Sequence, residues 1–189
     1  MLTLQFDQNA LKDKNRFELL ITDENELSGL PESARDAAAM LAKSKDKNGW
    51  LFNLSAPSYI PFMRYSDKRD LREKMYREYM SVGNKGDEFD NKDIIKKIVN
   101  IRLEIAQLMG FKNYAEYALE HTMAKNSANV YKLLNQLLEA YKPIAINEYN
   151  AVEGFALGTE KENITVMPWD WSYYSEKLRD IRFKVNDEM

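Results

Sequence analysis

The chain contains no cysteine and only one histidine, His121. Without cysteine it can form no disulfide, no thiolate metal site and no cysteine nucleophile. The H-E-x-x-H zinc motif places two imidazoles one turn apart on a helix, so a chain with one histidine cannot contain it. A cysteine-free chain is typical of a reducing compartment, and the first residues lack the basic start and apolar core of a signal peptide. We therefore expect a cytoplasmic protein.

Long apolar runs and an excess of one charge are missing as well. No run approaches the roughly 20 apolar residues needed to cross a bilayer, so a membrane is not an expected partner. The chain has 27 basic and 30 acidic residues and a net charge of −3, which argues against nucleic acid as a partner. A content of 44% hydrophobic and 30% charged residues in 189 is typical of one globular domain. We treat residues 1–189 as a single, partial domain.

Helical periodicity dominates the sequence. Two short alternating segments, residues 16–21 and 50–54, predict strands that could pair in parallel because a helix separates them. Residues 6–14 are polar and are expected to be irregular or briefly helical. The predicted helices are residues 31–43, a helix from 66, 91–109, 114–120, 127–157 and a last helix from 170. The fold class is therefore mainly α: a multi-helix domain with one short two-stranded β element.

Local signals give more specific expectations for four of these helices. Ser66 and Asp170 are candidate N-caps, and Trp171, Tyr174, Leu178 and Ile181 share the expected buried face of the last helix. The wide apolar stripe of residues 91–109 predicts that this helix forms the core. Pro143 lies in the middle of residues 127–157 and should kink that helix.

Three features invite a chemical interpretation, and each has a structural alternative. His121 ends a short helix, where a partly charged imidazole is favoured, and a catalytic or ligand role is the weaker alternative. The acidic loop at residues 87–93 is out of register with a calcium-binding loop, so a solvated loop is favoured over a cation site. The aromatic cluster Trp169, Trp171, Tyr173 and Tyr174 is expected to pack a helix onto a core, although such rings also stack on sugars or bases.

Six segments together carry a resemblance to a known family. They are LSGLP at residues 27–31, PSYIPFMRYS at 57–66, RDLREK at 69–74, NKDII at 91–95, LMGFKNYAEY at 108–117 and PWDWSYYSEK at 168–177. In this order, they make the chain resemble the thimet oligopeptidase and peptidyl-dipeptidase family of zinc metallopeptidases. The peptidyl-dipeptidase branch is expected to be the more similar one.

The resemblance implies that the chain is an internal part of a larger two-lobed helical peptidase, whose narrow channel admits short peptides. In that family zinc is the cofactor, held by an H-E-F-G-H-type motif and a later Glu that follow the region at residues 168–177. No catalytic or metal residue of the family maps onto this chain, which by itself is expected to be inactive. The implied partners are the remainder of the peptidase chain and short peptide substrates. Arg64, Tyr173 and Tyr174 are the candidates for lining the substrate channel.

The competing hypothesis is a stand-alone helical module that binds proteins or peptides without catalysis. The two hypotheses differ in the surface they predict. Part of a larger peptidase should expose an apolar face well above the few hundred Å² that monomers usually show. A surface that is polar all round would favour the module.

Overall fold

The structure, a computed structural model, describes residues 1–160 and 164–184. Within these residues it has eight α-helices, one 3₁₀ turn and one two-stranded sheet, which confirms the mainly α class. In chain order the elements are α1 (Leu2–Arg16), β1 (Leu19–Ile21), a 3₁₀ turn (Glu24–Leu27), α2 (Glu32–Ser44), β2 (Trp50–Phe52), α3 (Ala56–Tyr65), α4 (Arg69–Met80), α5 (Lys92–Leu108), α6 (Tyr114–Leu119), α7 (Ser127–Thr159) and α8 (Pro168–Phe183).

Contacts group the described residues into two units, which we describe separately. The helical unit consists of Met1–Gln8 and Asn91–Asn150, and the cleft unit consists of Asn9–Asp90 and the described residues of Ala151–Met189. None of the described helices combines the length and the apolar character that crossing a bilayer requires.

The sheet of the cleft unit is antiparallel, so the suggestion of a parallel pair is wrong. Leu19 pairs with Phe52, and Ile21 pairs with Trp50. Gly49 lies directly against the end of β1: its φ is +112°, and a Cβ at this position would lie 2.3 Å from the carbonyl oxygen of Ile21. The chain therefore passes close to the end of β1 just before β2 begins, and glycine favours both this φ and this close approach.

The core of the cleft unit forms around this sheet. The two strands, the 3₁₀ turn, α2, α3, α4 and Trp169 of α8 contribute its buried side chains: Leu19, Ile21, Leu27, Leu30, Ala38, Phe52, Leu54, Phe62, Met63, Met75 and Trp169. The rings of Phe52 and Phe62 meet edge to face with their centroids 4.8 Å apart. Burial on both faces of β2, where Leu51 is buried as well, replaces the simple alternation expected from the sequence.

Three expectations about helix ends are corrected by the structure. Residues 2–16 form a regular helix, and its buried Asp13 accepts a hydrogen bond from the Gly83 amide (2.7 Å). Ser66 ends α3 instead of starting the next helix, and α4 begins at Arg69. The last helix starts at Pro168, and Asp170 caps it from the first turn by accepting from the Met167 amide (3.1 Å).

The buried face of α8 also differs from the prediction. Trp169, Asp170, Tyr173 and Tyr174 are its buried residues, whereas Ile181 is exposed. The helix turns an aromatic and charged face inward because Asp170 is paired with arginines of α4. The apolar periodicity of α8 alone does not predict which of its faces is buried.

In the helical unit, α5 does not form a core. Only Ile94 and Ala106 of this helix are buried, while Val99 is 56% and Leu108 is 86% exposed. α6 follows as predicted, with Asn113 Oδ1 accepting from the Glu116 amide (2.9 Å). α7 runs for 33 residues with Pro143 inside it, and its residues 131–150 are all exposed. Both α5 and α7 therefore expose large apolar side chains.

Candidate functional site

A cleft of about 250 Å³ lies in the cleft unit between the loop after the 3₁₀ turn, the end of α3 and the second half of α8. It is lined by two cationic, three acidic and two other residues: Arg64, Lys177, Asp67, Glu176, Asp180, Gly29 and Tyr65. The cleft is therefore ionic, and it contains Arg64, one of the three channel candidates.

Gly29 shapes one wall of the cleft. Its φ is +83°, and a Cβ at this position would lie 2.1 Å from the carbonyl oxygen of Tyr65 and 2.8 Å from Cγ of Asp67. The Asp67 amide donates to the carbonyl oxygen of Ser28 (2.9 Å). Only glycine lets the two chain segments approach this closely, so the residues after α3 are held directly against the 3₁₀ turn.

Asp67 makes several polar contacts in this wall. Ser28 Oγ donates to its Oδ2 (2.7 Å), and Tyr173 Oη donates to its Oδ1 (2.7 Å). Lys177 Nζ lies 3.4 Å from the same Oδ1. Burial disfavours the charged carboxylate, but the two hydroxyl donors and Lys177 outweigh it, so the pKa of Asp67 lies below its usual range. The carboxylate is therefore charged at neutral pH and serves as an acceptor.

Tyr173 is buried beside this carboxylate. The Arg72 guanidinium lies 4.0 Å and the Lys177 ammonium 4.6 Å from the centre of its ring. Burial, followed by the hydrogen bond to Asp67, raises the pKa of Tyr173. The phenol therefore stays protonated and acts as a fixed donor, not as a general acid or base near neutral pH.

Tyr174 belongs to a different cluster. It packs with Val152 and Ala156 at the end of α7, and its Oη donates to Glu160 Oε1 (2.5 Å). Burial and Glu160 raise the pKa of this phenol too. Adjacent tyrosines on α8 thus anchor two different segments of the chain.

Sequence reasoning did not find the buried ion pairs behind the cleft. Arg72 and Asp170 are both inaccessible to solvent, and Arg72 Nη2 donates to Asp170 Oδ1 (2.9 Å). Arg69 Nη2 donates to Asp170 Oδ2 (2.7 Å), and Arg72 Nη1 donates to the carbonyl oxygen of Ser66 (2.7 Å). Every charge in this group is compensated, as a buried charge requires.

These contacts also determine the charge of Asp170. Burial disfavours its ionised form, but hydrogen bonds from Arg69, the Met167 amide and Arg72 outweigh burial and hold the pKa of the carboxyl below its usual range. The three-residue spacing of Arg69 and Arg72 was the available signal that both face one side of α4.

The other candidates from the sequence lie elsewhere or are already partnered. The side chain of His121 is 90% exposed in the helical unit, with Nε2 3.6 Å from Glu120 Oε2. In the acidic loop, Asp87 pairs with Arg16, and Asp90 accepts from the Gly86 amide (2.7 Å). The aromatic cluster packs inward apart from Trp171, which favours the structural interpretation.

Across residues 1–160 and 164–184, no three His, Asp or Glu side chains come together in a way that could hold a metal ion. The cleft offers charged walls fixed by internal hydrogen bonds, which can position a polar partner. Whether Arg64, Tyr173 and Tyr174 line a substrate channel stays a prediction.

Comparisons with known proteins identify the family. Residues 62–189 match the family described as peptidase family M3. Oligopeptidase A of Haemophilus influenzae is 40% identical over 193 residues, which cover 99% of this chain and 28% of the relative. A relative from Arabidopsis thaliana named probable cytosolic oligopeptidase A is 38% identical over 197 residues, or 99% of this chain and 28% of that protein.

Dipeptidyl carboxypeptidase of Escherichia coli is 28% identical over 187 residues, covering 98% of this chain and 27% of the relative. The two oligopeptidases are thus more similar to the chain than this enzyme, against the expectation of a greater similarity to the peptidyl-dipeptidase branch. The chain spans less than a third of the length of each of these relatives. From the match over residues 62–189, this chain belongs to peptidase family M3.

Proposed function

We propose that this chain is the helical scaffold part of a zinc-dependent metallopeptidase that hydrolyses short peptides. The family match over residues 62–189 carries the proposal. The relatives named oligopeptidase A and dipeptidyl carboxypeptidase support peptides as the substrate class. The higher identity to the former favours an oligopeptidase over an enzyme that releases dipeptides.

In this proposal the zinc chemistry belongs to the remainder of the peptidase. Zinc in such a site activates a bound water for attack on the peptide carbonyl. This chain has one histidine and cannot supply an H-E-x-x-H motif. The residues of this chain hold its helices in place. Asp170 and its arginines hold α8 on α4, and Asp67 holds α8 to the loop at Gly29.

Arg64 is the channel candidate that the geometry supports best, because it lines the ionic cleft. A guanidinium there can bind a peptide carboxylate or carbonyl oxygen. Tyr173 would act through Lys177 and Asp67, which it contacts, and not through an open ring face. Tyr174 is buried against Glu160 and would contribute only to the shape of α8. A cytoplasmic location is proposed from the absence of cysteine and from the printed name of the Arabidopsis relative.

The test compares the isolated chain with the protein encoded by the whole reading frame that contains it. Both are assayed on an internally quenched short peptide, with added zinc and with a chelator. We expect chelator-sensitive turnover by the whole protein and none by the isolated chain. Turnover by the isolated chain would refute the proposal that the zinc chemistry belongs to the remainder of the peptidase. A whole protein without turnover that binds peptides would favour the stand-alone binding module.

A further inference from the structure

We propose that residues 127–150 of α7 are a docking face for an apolar helical layer of the M3 peptidase that this chain does not include. The inference rests on the proposed function, which it extends by naming the surface and the chemistry of its partner. The α7 apolar face consists of Leu134, Leu137, Leu138, Tyr141 and Ile144. Each of these side chains is between 42% and 62% exposed.

The positions of these residues define one side of the helix. At 3.6 residues per turn, the α7 apolar face and its apolar neighbours Tyr131, Leu133 and Tyr149 fall within an arc of about 160°. The opposite side carries mainly polar residues and one apolar residue, Ile146, and Glu148 is the one charged residue within the apolar arc. The opposite side also includes Asn135, Gln136, Glu139, Lys142 and Pro143. An amphipathic pattern of this kind is typical of a helix that packs its apolar side against other elements.

The structure leaves this side uncovered within the helical unit. All residues from 131 to 150 are exposed, whereas α5 and α6 pack on each other. Helices of globular proteins gain most of their stability from burying an apolar face, not from intrinsic propensity. A cluster of large exposed apolar side chains on one side of a helix marks an interaction site.

The width of the face indicates what covers it. Pairing with one identical helix buries a narrow seam of two residues in seven, whereas an arc of about 160° contacts two or more helices. A layer of helices is therefore a better occupant than a second copy of α7. The relatives supply enough chain, because the aligned segment is 28% of the oligopeptidase A of Haemophilus influenzae. The face is mostly uncharged, so the occupant is apolar.

The experiment uses the absence of cysteine from the chain. Leu137→Cys places a single thiol on the α7 apolar face, and Gln136→Cys places one on the opposite side of the same turn. Each variant is prepared as the isolated chain and as a chimera in which this chain replaces the aligned segment of the Haemophilus influenzae oligopeptidase A. Thiol labelling at the two positions is followed by mass spectrometry of the peptides.

In the isolated chain we expect both thiols to react at similar rates. In the chimera, labelling at position 137 should slow by roughly ten-fold or more, while position 136 stays reactive, because a packed site reacts only after local opening. Equal labelling of both positions in the chimera overturns the proposal. A chimera that carries the unchanged α7 apolar face and does not fold overturns it as well.

A second measurement is independent of the chimera. In the isolated chain, Leu134→Glu combined with Leu137→Glu should leave the helical content and the oligomeric state unchanged, because nothing covers these side chains. Loss of helicity, or of a dimer, overturns the proposal. Peptide turnover separates the two hypotheses: a chimera protected at position 137 but inactive contradicts the proposed function alone, and an active chimera without protection contradicts the docking face alone.

Discussion

The cleft unit buries its charges, whereas the helical unit leaves its apolar side chains exposed. Arg72 and Asp170 are inaccessible in the former, and Leu137 and Leu108 are open to solvent in the latter. In the cleft unit the buried charges are paired: Arg72 with Asp170 of another helix, and Asp13 with Arg16 of its own helix and with Lys85 of a loop. The contrast teaches that apolar character alone did not decide burial in this chain. A side chain is buried only where another part of the fold packs against it or pairs with it.

The largest expected effect is that of breaking the buried ion pairs. Asp170→Ala leaves Arg72 charged, buried and without a carboxylate, so the free energy of unfolding should fall by about 3–5 kcal/mol. Urea unfolding followed by tryptophan fluorescence is suitable, because all three tryptophans, Trp50, Trp169 and Trp171, belong to the cleft unit. Asp180→Asn, an exposed position on the same helix, is the control. A loss below about 1 kcal/mol would show that the network is not stabilising.

Truncating an apolar side chain should lower the free energy of unfolding in the cleft unit but not in the helical unit. Met75 is fully buried, so Met75→Ala should lower the free energy of unfolding by about 2–5 kcal/mol. Met80→Ala on the same helix and Leu137→Ala on α7 should each change it by less than about 0.5 kcal/mol, since both side chains are exposed. Fluorescence reports on the first two variants and circular dichroism on the third. A large loss for Leu137→Ala would remove the contrast between the units.

Smaller effects on stability are expected when two glycines of the cleft unit are replaced by alanine, and the two effects should have opposite signs. Gly29→Ala should destabilise by about 1–3 kcal/mol, because its φ is positive and a Cβ would meet the Tyr65 carbonyl. Gly154→Ala lies within α7 in open space and should stabilise by about 0.5–1 kcal/mol. Both variants are compared by thermal unfolding. Equal effects would mean that the wall of the cleft can relax around a methyl group.

The smallest effect concerns acid stability. The folded-state pKa of Asp67 is lowered, so its stabilisation is complete above the unfolded aspartate pKa of about 3.9 and is lost as pH falls through the folded value. Asp67→Asn should therefore flatten the dependence of the urea midpoint on pH below about 4. Tyr173→Phe, which removes one donor, should flatten it less. An unchanged slope in Asp67→Asn would show that other carboxylates account for the acid sensitivity.

Local signals predicted much of the fold. The short helix predicted at residues 114–120, the alternation of β1 and the long helix around Pro143 are all present, because each depends on residues a few positions apart. The same reasoning missed α1, whose only buried residue is Asp13, held by the distant Gly83 amide. It also placed the core on α5, because a stripe shows which side of a helix is apolar but not whether anything covers it.

The cleft was predictable only in part. Arg64 was named as a candidate, and it lines the cleft. The partnership of Asp67 with Tyr173 joins residues 106 positions apart, and that of Arg72 with Asp170 joins residues 98 apart. No spacing rule connects residues at such distances in the sequence.

The sequence by itself determined most of the helical segments and the family that the chain belongs to, because these depend on local chemistry and on the order of motifs. The tertiary structure alone decided that the strands run antiparallel, that Arg72 and Asp170 are buried together and that the stripe of α5 is not the core. Burial depends on partners that the fold brings from far along the chain, and a charged residue is buried only where such a partner compensates it.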